Sequence, residues 1–344
     1  MSRGVRVLAC AFSSTLSVAC GSSSSEPQTQ GGAVAIRPST LVCELQERAG
    51  PPAPPPETQV ADFGPPIPLG LNDPCFQDAV EVSPDGNRIY HFYQVNLIEV
   101  LEADDRLFAG TEVRFQDRAA GDTWRAPETL DLAAALPGSG AGETRVAPDG
   151  SWVVWHAAHP SNLGYVEGLP PGQTFDLDVY EATIIDGRFG RVQHLPAPVN
   201  SAYLDGEQWL TADGLTMYFA SSRPGGAGGL DIWVTTHDAS GVWSQPQPLP
   251  APVNSSSDDL QPTLSPDGQW LYFASDRDGA MSIYRVAVTG GSYAPTTEVV
   301  IAAYAGEPSF SDDGRLFFVH VEIDFSVDPP VKYDSDIYYV EPTG

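Results

Sequence analysis

Five short apolar runs, each broken by an Asp-Gly pair and resumed after it, set the rhythm of the chain. The pairs are Asp85-Gly86, Asp149-Gly150, Asp213-Gly214, Asp267-Gly268 and Asp313-Gly314. Asp-Gly between two apolar runs is a hairpin signal, because both residues tolerate the positive φ that tight primed turns need. The third residue after each turn is apolar in every copy (Ile89, Val153, Met217, Leu271 and Phe317), and so is the fourth (Tyr90, Val154, Tyr218, Tyr272 and Phe318). A strand apolar on both faces is expected to lie between two neighbouring sheets. Third strands are expected at 111–115, 178–180, 231–234, 282–286 and 336–340. Fourth strands follow in the first four copies, at 124–130, 189–195, 243–249 and 293–300.

The register extends beyond the turns. LPAPVNS at 195–201 recurs at 249–255, and that spacing of 54 residues is also the spacing of the two turns that follow. One duplicated unit explains both. The fifth copy runs out at Gly344 without a fourth strand, while FGPPIPLGLN at 63–72 resembles WSQPQPLPAPVN at 243–254 and precedes the first hairpin in the same way. The N-terminal strand is therefore expected to complete the last sheet and close a ring without a wide open edge. Successive turns lie 64, 64, 54 and 46 residues apart, which leaves no room for a hidden sixth hairpin.

LSPDGQWLYFASDRDGAMSIY at 264–284 and LTADGLTMYFASSRPGGAGGLDIW at 210–233 resemble the TolB-type, WD-like propeller repeat. The resemblance covers about residues 58–344 and implies four-stranded blades around a central channel. TolB itself carries six such blades and a separate N-terminal domain, neither of which is found in this sequence, so its partners do not carry over. The expected fold is all-β: a five-bladed β-propeller of four-stranded antiparallel blades over 58–344, closed by an N-terminal strand.

What precedes the repeats reads differently. Arg3 and Arg6 flank an apolar stretch over 7–18, too short to remain in a bilayer, and Leu16-Ser17-Val18-Ala19-Cys20 resembles a bacterial lipobox. This implies a lipoprotein signal peptide over 1–19 and acylation of Cys20, with ordinary cleavage nearby and a plain Cys20 thiol as the alternative. Gly21 after the anchor, by resemblance to known lipoproteins, favours the outer membrane of a Gram-negative cell, periplasmic or surface-facing. Residues 20–57 are rich in Ser, Gln, Gly and Pro and are expected to form a tether. A short strand at 41–45 is possible within it. Cys10 lies in the signal, which leaves Cys43 and Cys75 as the mature pair. In an oxidising compartment they are expected to form a disulfide, with two free buried thiols as the alternative.

Lys+Arg number 17 against 45 Asp+Glu, a net charge of -28, and Lys332 is the one lysine. Such a surface repels phosphate, which excludes nucleic acid and leaves the N-terminal lipid as the only membrane contact. Solubility accounts for the acidity, and a basic partner is the sharper reading.

Candidate chemistry is concentrated in one column. Six residues before each turn Asp stand Glu143, Glu207, Gln261 and Glu307, with Ala79 in the first copy and Asp78 beside it. They are expected to open the innermost strands and converge near one mouth of the channel. There they either accept hydrogen bonds from adjacent blades or bind a basic peptide or a cation such as Ca²⁺. Arg223 and Arg277 follow second strands, and pairing of Arg223 with Asp231 across the hairpin is expected to fix strand register, with Ser282 replacing the Asp in the fourth copy. Of the six histidines only His156 and His159 are close in sequence, and their spacing fits no zinc pattern. Some five-bladed propellers are glycosidases that use channel carboxylates, but catalysis needs two carboxylates in unlike environments and this column supplies equivalent ones. The expected function is a non-catalytic scaffold at the cell envelope binding a protein or peptide partner. A glycoside hydrolase or glycan-binding protein is the alternative.

Overall fold

The structure, a computed structural model, describes residues 33–41, 56–95, 111–120, 123–165, 176–238, 240–324 and 331–344. It is a five-bladed β-propeller. The hairpins form where expected, by a different turn. In Ser83-Pro84-Asp85-Gly86 the Gly86 N–H donates to Ser83 O at 2.8 Å, and only the glycine, at φ 70°, is left-handed. This is a type I turn with Pro at its second position and Gly at its fourth, in place of the primed turn expected from Asp-Gly. Asp85 stays right-handed and its Oδ1 accepts the Asn87 N–H at 3.0 Å. The same glycine bond closes the other four turns.

From axis to rim, the first blade is Phe76–Val82, Arg88–Gln94, Thr111–Asp117 and Glu128–Leu130. The second is Gly140–Val146, Trp152–Ala158, Asp178–Ile185 and Arg188–His194. The third is Asp205–Leu210, Thr216–Ser221, Asp231–Thr236 and Gln247–Pro248. The fourth is Asp259–Leu264, Trp270–Ser275, Ser282–Thr289 and Glu298–Ala302. The fifth is Ala305–Phe310, Leu316–Asp324 and Val331–Val340, completed by Ile67–Pro68 from the N-terminal side, in register with Tyr338 and Tyr339. Inner strands of the fifth and first blades pack against one another, so the ring is closed. Ile89, Val153, Met217, Leu271 and Phe317 are all 0% exposed, as strands sandwiched between blades require.

Two N-terminal pieces add edges that the sequence did not suggest. Ile36–Pro38 pairs with Glu128–Leu130 as a fifth strand on the first blade, so part of the expected 20–57 tether is sheet. Glu57–Thr58 pairs with Glu298–Ala302 on the fourth. Cys20, Cys43 and the 41–45 strand, Leu41 apart, lie outside the described residues; Cys75 is disulfide-bonded. No helix among the described residues is long and apolar enough to cross a membrane.

The LPAPVNS repeat is a joint between blades. Asn200 Oδ1 accepts the Val179 N–H at 2.8 Å and its Nδ2 donates to Val179 O at 2.9 Å, so the amide imitates a neighbouring strand. Asn254 does the same to Ile232, and Asn72 to Ile337. Ser201 then donates through both N–H and Oγ to Asp205 of the next blade, at 2.6 Å each. Asp205, 0% exposed, pairs with Arg223 at 2.5 Å, and the guanidinium also donates to Pro198 O and Val199 O. Arg277 and Asp259 repeat the pair. Arg223 therefore binds the head of its own inner strand instead of Asp231. Asp231 caps the glycine-rich loop by accepting the Ala227 and Gly228 N–H groups. Fixing a joint needs a charge reachable from the linker, and Asp205 is four residues from Ser201, whereas Asp231 lies beyond the hairpin.

Burial pushes the Asp205 carboxyl up, and Arg223, Ser201 and Ser221, whose Oγ donates to it at 2.5 Å, only partly pull it down. Removing one member of such a buried pair strands the other. Arg223→Ala is expected to lower unfolding free energy by about 3 kcal/mol in a denaturant titration, with the Asp205→Ala/Arg223→Ala double variant well short of the summed losses. Deleting residues 58–74 removes the outer strand of the fifth blade, and the expected outcome is a lower melting temperature for the whole domain by calorimetry. A deletion variant that melts like the parent would break the ring.

Candidate functional site: a carboxyl ring in the channel

Each inner strand is interrupted at the same place. Register shifts fall between Asp78 and Glu81, Ala141 and Thr144, Gly206 and Trp209, Leu260 and Thr263, and Gly306 and Ser309. In four of these bulges the column residue is left-handed, with φ of 53° at Ala79, 51° at Glu207, 54° at Gln261 and 57° at Glu307. Such a φ is uncommon outside glycine, and its recurrence makes it a device of the architecture, since a bulge bends the strand and re-aims a side chain. The column therefore sits within the inner strands, at their bulges, and not at their openings as the sequence suggested.

The bulges bring three blades' carboxyls together. One oxygen from each of Glu143, Glu207 and Glu307 lies within 4.8 Å of the others. Gln261 joins them: its Oε1 accepts the Glu307 N–H at 3.0 Å, and its amide donates to Glu307 Oε1. The first blade contributes no column carboxylate, but the charge of nearby Asp78 pushes all three glutamates further up. Burial is the largest cause, and the glutamates' mutual repulsion adds to it, holding each well above the usual carboxylate range. Glu143 Oε1 and Glu207 Oε2 are enclosed and accept no hydrogen bond from a fixed donor among the described residues. Carboxyls this close relieve the repulsion by sharing protons, or by holding a cation between them.

His156 is the member that sequence reasoning missed. Its ring is buried between the second and third blades, where its Nδ1 accepts the Glu207 N–H at 3.1 Å. A methyl group on Gly142 would collide with this ring, and one on Gly206 would lie 3.1 Å from it. The signal was present in the Gly-Glu dipeptides 142–143 and 206–207, where glycine makes room for a neighbouring blade's side chain. Burial holds His156 down to about 4, so it is neutral and suited to accept. Glu81 was also missed. It accepts from Arg145 Nη1 at 2.9 Å and from the Val146 N–H, and burial pushes it up to about 7 against the pull of Arg145.

The ring encloses little space. The cavity bounded by these residues with Pro262, Pro308 and Trp209 measures about 40 Å³. That admits two or three waters, or one ion with a water, and is far below the roughly 300 Å³ at which organic ligand sites begin. Three carboxyl groups are hard oxygen donors, so the cation they fit is of the Ca²⁺ type.

No family model matches the chain. It is similar to a protein of Agrobacterium fabrum, Atu1656, at 36% identity over 77 residues, and spans 22% of that relative's length with 22% of its own. Among solved structures it is similar to a putative TolB from Agrobacterium tumefaciens, at 18% identity over 81% of this chain and 97% of that one, with a TM-score of 0.44. It is also similar to TolB from Acinetobacter baumannii (15% identity; 76% of this chain, 54% of that; TM-score 0.40) and to an alpha-L-arabinofuranosidase from Lactobacillus brevis (14%; 78% and 90%; TM-score 0.47).

Glutamates with raised folded-state values bind more protons folded than unfolded once pH exceeds their ordinary value of 4.5, so stability falls as pH rises through that interval. Glu81 and Asp176, both pushed up to about 7, act in the same direction; His91, His156 and His320, held down to about 4, oppose it in acid. The difference between variant and parent isolates the ring. Glu143→Gln/Glu207→Gln/Glu307→Gln is expected to melt higher than the parent at about pH 8, with the gap closing towards pH 5. A constant gap would show that the ring does not hold protons.

Proposed function

We propose that the protein is a non-catalytic propeller scaffold of the cell envelope, anchored through lipid on Cys20, which binds a basic protein or peptide on its outer faces. The observation that carries this reading is the size of the channel cavity. At about 40 Å³ it excludes a sugar ring or a peptide from Glu143, Glu207, Gln261 and Glu307, the residues a channel enzyme would use. All three carboxyls are held above the usual range. An acid–base pair instead needs one group protonated and another ionised. The ring's work is to join the inner strands, and a Ca²⁺ ion there would serve the same end. A net charge of -28 then gives rigid loops and grooves a preference for cationic partners.

Immobilised mature protein is expected to retain a basic polypeptide from Gram-negative envelope extract, and to release it as ionic strength rises. Hydrolysis of a glycan panel that disappears in Glu207→Gln would instead establish the glycosidase.

A further inference from the structure

Equivalent positions in the second and fourth blades carry complementary chemistry. In the fourth blade, Trp270 on the second strand, Arg285 on the third and Glu298 on the fourth form one unit. The Arg285 guanidinium lies 4.1 Å over the Trp270 ring and pairs with Glu298 at 2.8 Å and with Asp62 at 2.6 Å. Strand register maps this unit onto the second blade residue for residue. Arg285 opposes Tyr272 and Glu298, and Glu181 opposes Val154 and Gln193. Trp152, like Trp270, is the second residue after the turn glycine. The second blade thus keeps the tryptophan and replaces the cation with a carboxylate.

Where the fourth blade is filled by its own arginine, the second leaves a cleft against the third blade. It holds about 380 Å³, and its walls include Trp152, Trp243 and His237, with Glu181 and Gln193 as polar groups. The His237 and Trp243 rings meet edge to face at 4.5 Å, and the His237 Nδ1 bonds to the Asp238 carbonyl at 2.9 Å, which fixes that wall. Glu181 Oε1 accepts from the Gln193 amide at 2.9 Å, and among the described residues it forms no ion pair, the charge of nearby His237 being what draws its carboxyl down. Arg191 also lines the cleft and has an interaction of its own. Asp213 on the rim, held below the usual range by Thr211 and the Leu215 N–H, stays ionised. Leu215 and Val242, next in sequence to lining residues, are 41% and 67% exposed.

We propose that this cleft binds an arginine side chain of the partner, its guanidinium stacked on Trp152 and paired with Glu181, in the arrangement that Arg285 makes internally in the fourth blade. A planar guanidinium suits both contacts at once, because it stacks on an indole face while its edge donates to a carboxylate. Burial pushes the Glu181 carboxyl up and the charge of His237 pulls it partly back, and the charge of a guest adds to that pull. The inference rests on the basic partner proposed above and assigns where it docks.

The probe is acetyl-Gly-Arg-Gly-amide, titrated into the full chain and followed by tryptophan fluorescence and calorimetry. Saturable binding is expected, weakened roughly tenfold or more when citrulline replaces arginine and to a similar extent by Glu181→Gln. Trp152→Leu is expected to lose both the quench and the affinity, and unchanged melting of each variant shows that the blade is intact. Equal binding of the arginine and citrulline peptides, no binding of either, or binding of neutral oligosaccharides in their place would each overturn the proposal. The extract separates the two readings. A polypeptide retained equally by parent and Glu181→Gln leaves the scaffold standing and removes the cleft, whereas arginine-peptide binding with no polypeptide retained leaves the cleft and removes the scaffold reading.

Discussion

The pairing of Ile67–Pro68 with Tyr338 and Tyr339 turns five successive sheets into a ring. Without it the fifth blade ends in an open edge and the fifth and first blades have no common chain. The bond is short in strand terms, so it is reinforced from outside the ladder. Asn72 brackets Ile337 through both its N–H and C=O, and Phe63 bridges to Pro342. Closure then fixes how near the five inner strands approach the axis, and that distance sets the size of the channel. A cavity of about 40 Å³ follows from five blades drawn tight.

The same tightness forces the bulges. A straight inner strand would turn its polar residue onto a face of the sheet, buried between blades. A left-handed residue at one position aims the side chain along the axis, where carboxyls and an amide can satisfy one another. Backbone strain at Ala79 shows that the bulge belongs to the blade and not to the glutamate, since alanine there has no polar group to present. The ring in the channel is thus a consequence of the fold that the chain has furnished with carboxyls.

Much of this was legible in the sequence, because repetition multiplies a weak signal. One Asp-Gly is a guess, but five with apolar residues at fixed offsets give blades, and Phe63 to Asn72 gave the closure. Contacts made across blades were less legible. The turn type escaped because Ser-Pro-Asp-Gly encodes its geometry through Pro84 and Gly86 together, and Asp85 serves as a side-chain acceptor. The Arg223 partner escaped because the competing carboxylates, Asp205 and Asp231, differ in reach only once the linker's path is known. His156 fits no metal-ligand spacing in the sequence. Its bond to Glu207 joins residues 51 apart, visible beforehand only as a glycine preceding a glutamate.

Recurrence and divergence therefore carry different information in a repeat of this kind. Positions that keep one role from blade to blade, such as the turn glycines and bulges of all five blades and the asparagines of three joints, hold the ring. Positions that hold the same place in the blade but change chemistry are freed from that duty. Phe115, Val234 and Arg285 all occupy the place of Glu181, and the first two are apolar while the third is neutralised by its own chain. A carboxylate there gains one cross-strand bond, from Gln193, while its enclosure disfavours the charged form. Retaining a carboxylate beside Trp152 that His237 and Gln193 answer only in part, at a site where a sister blade shows a full answer, makes sense when the rest comes from another molecule.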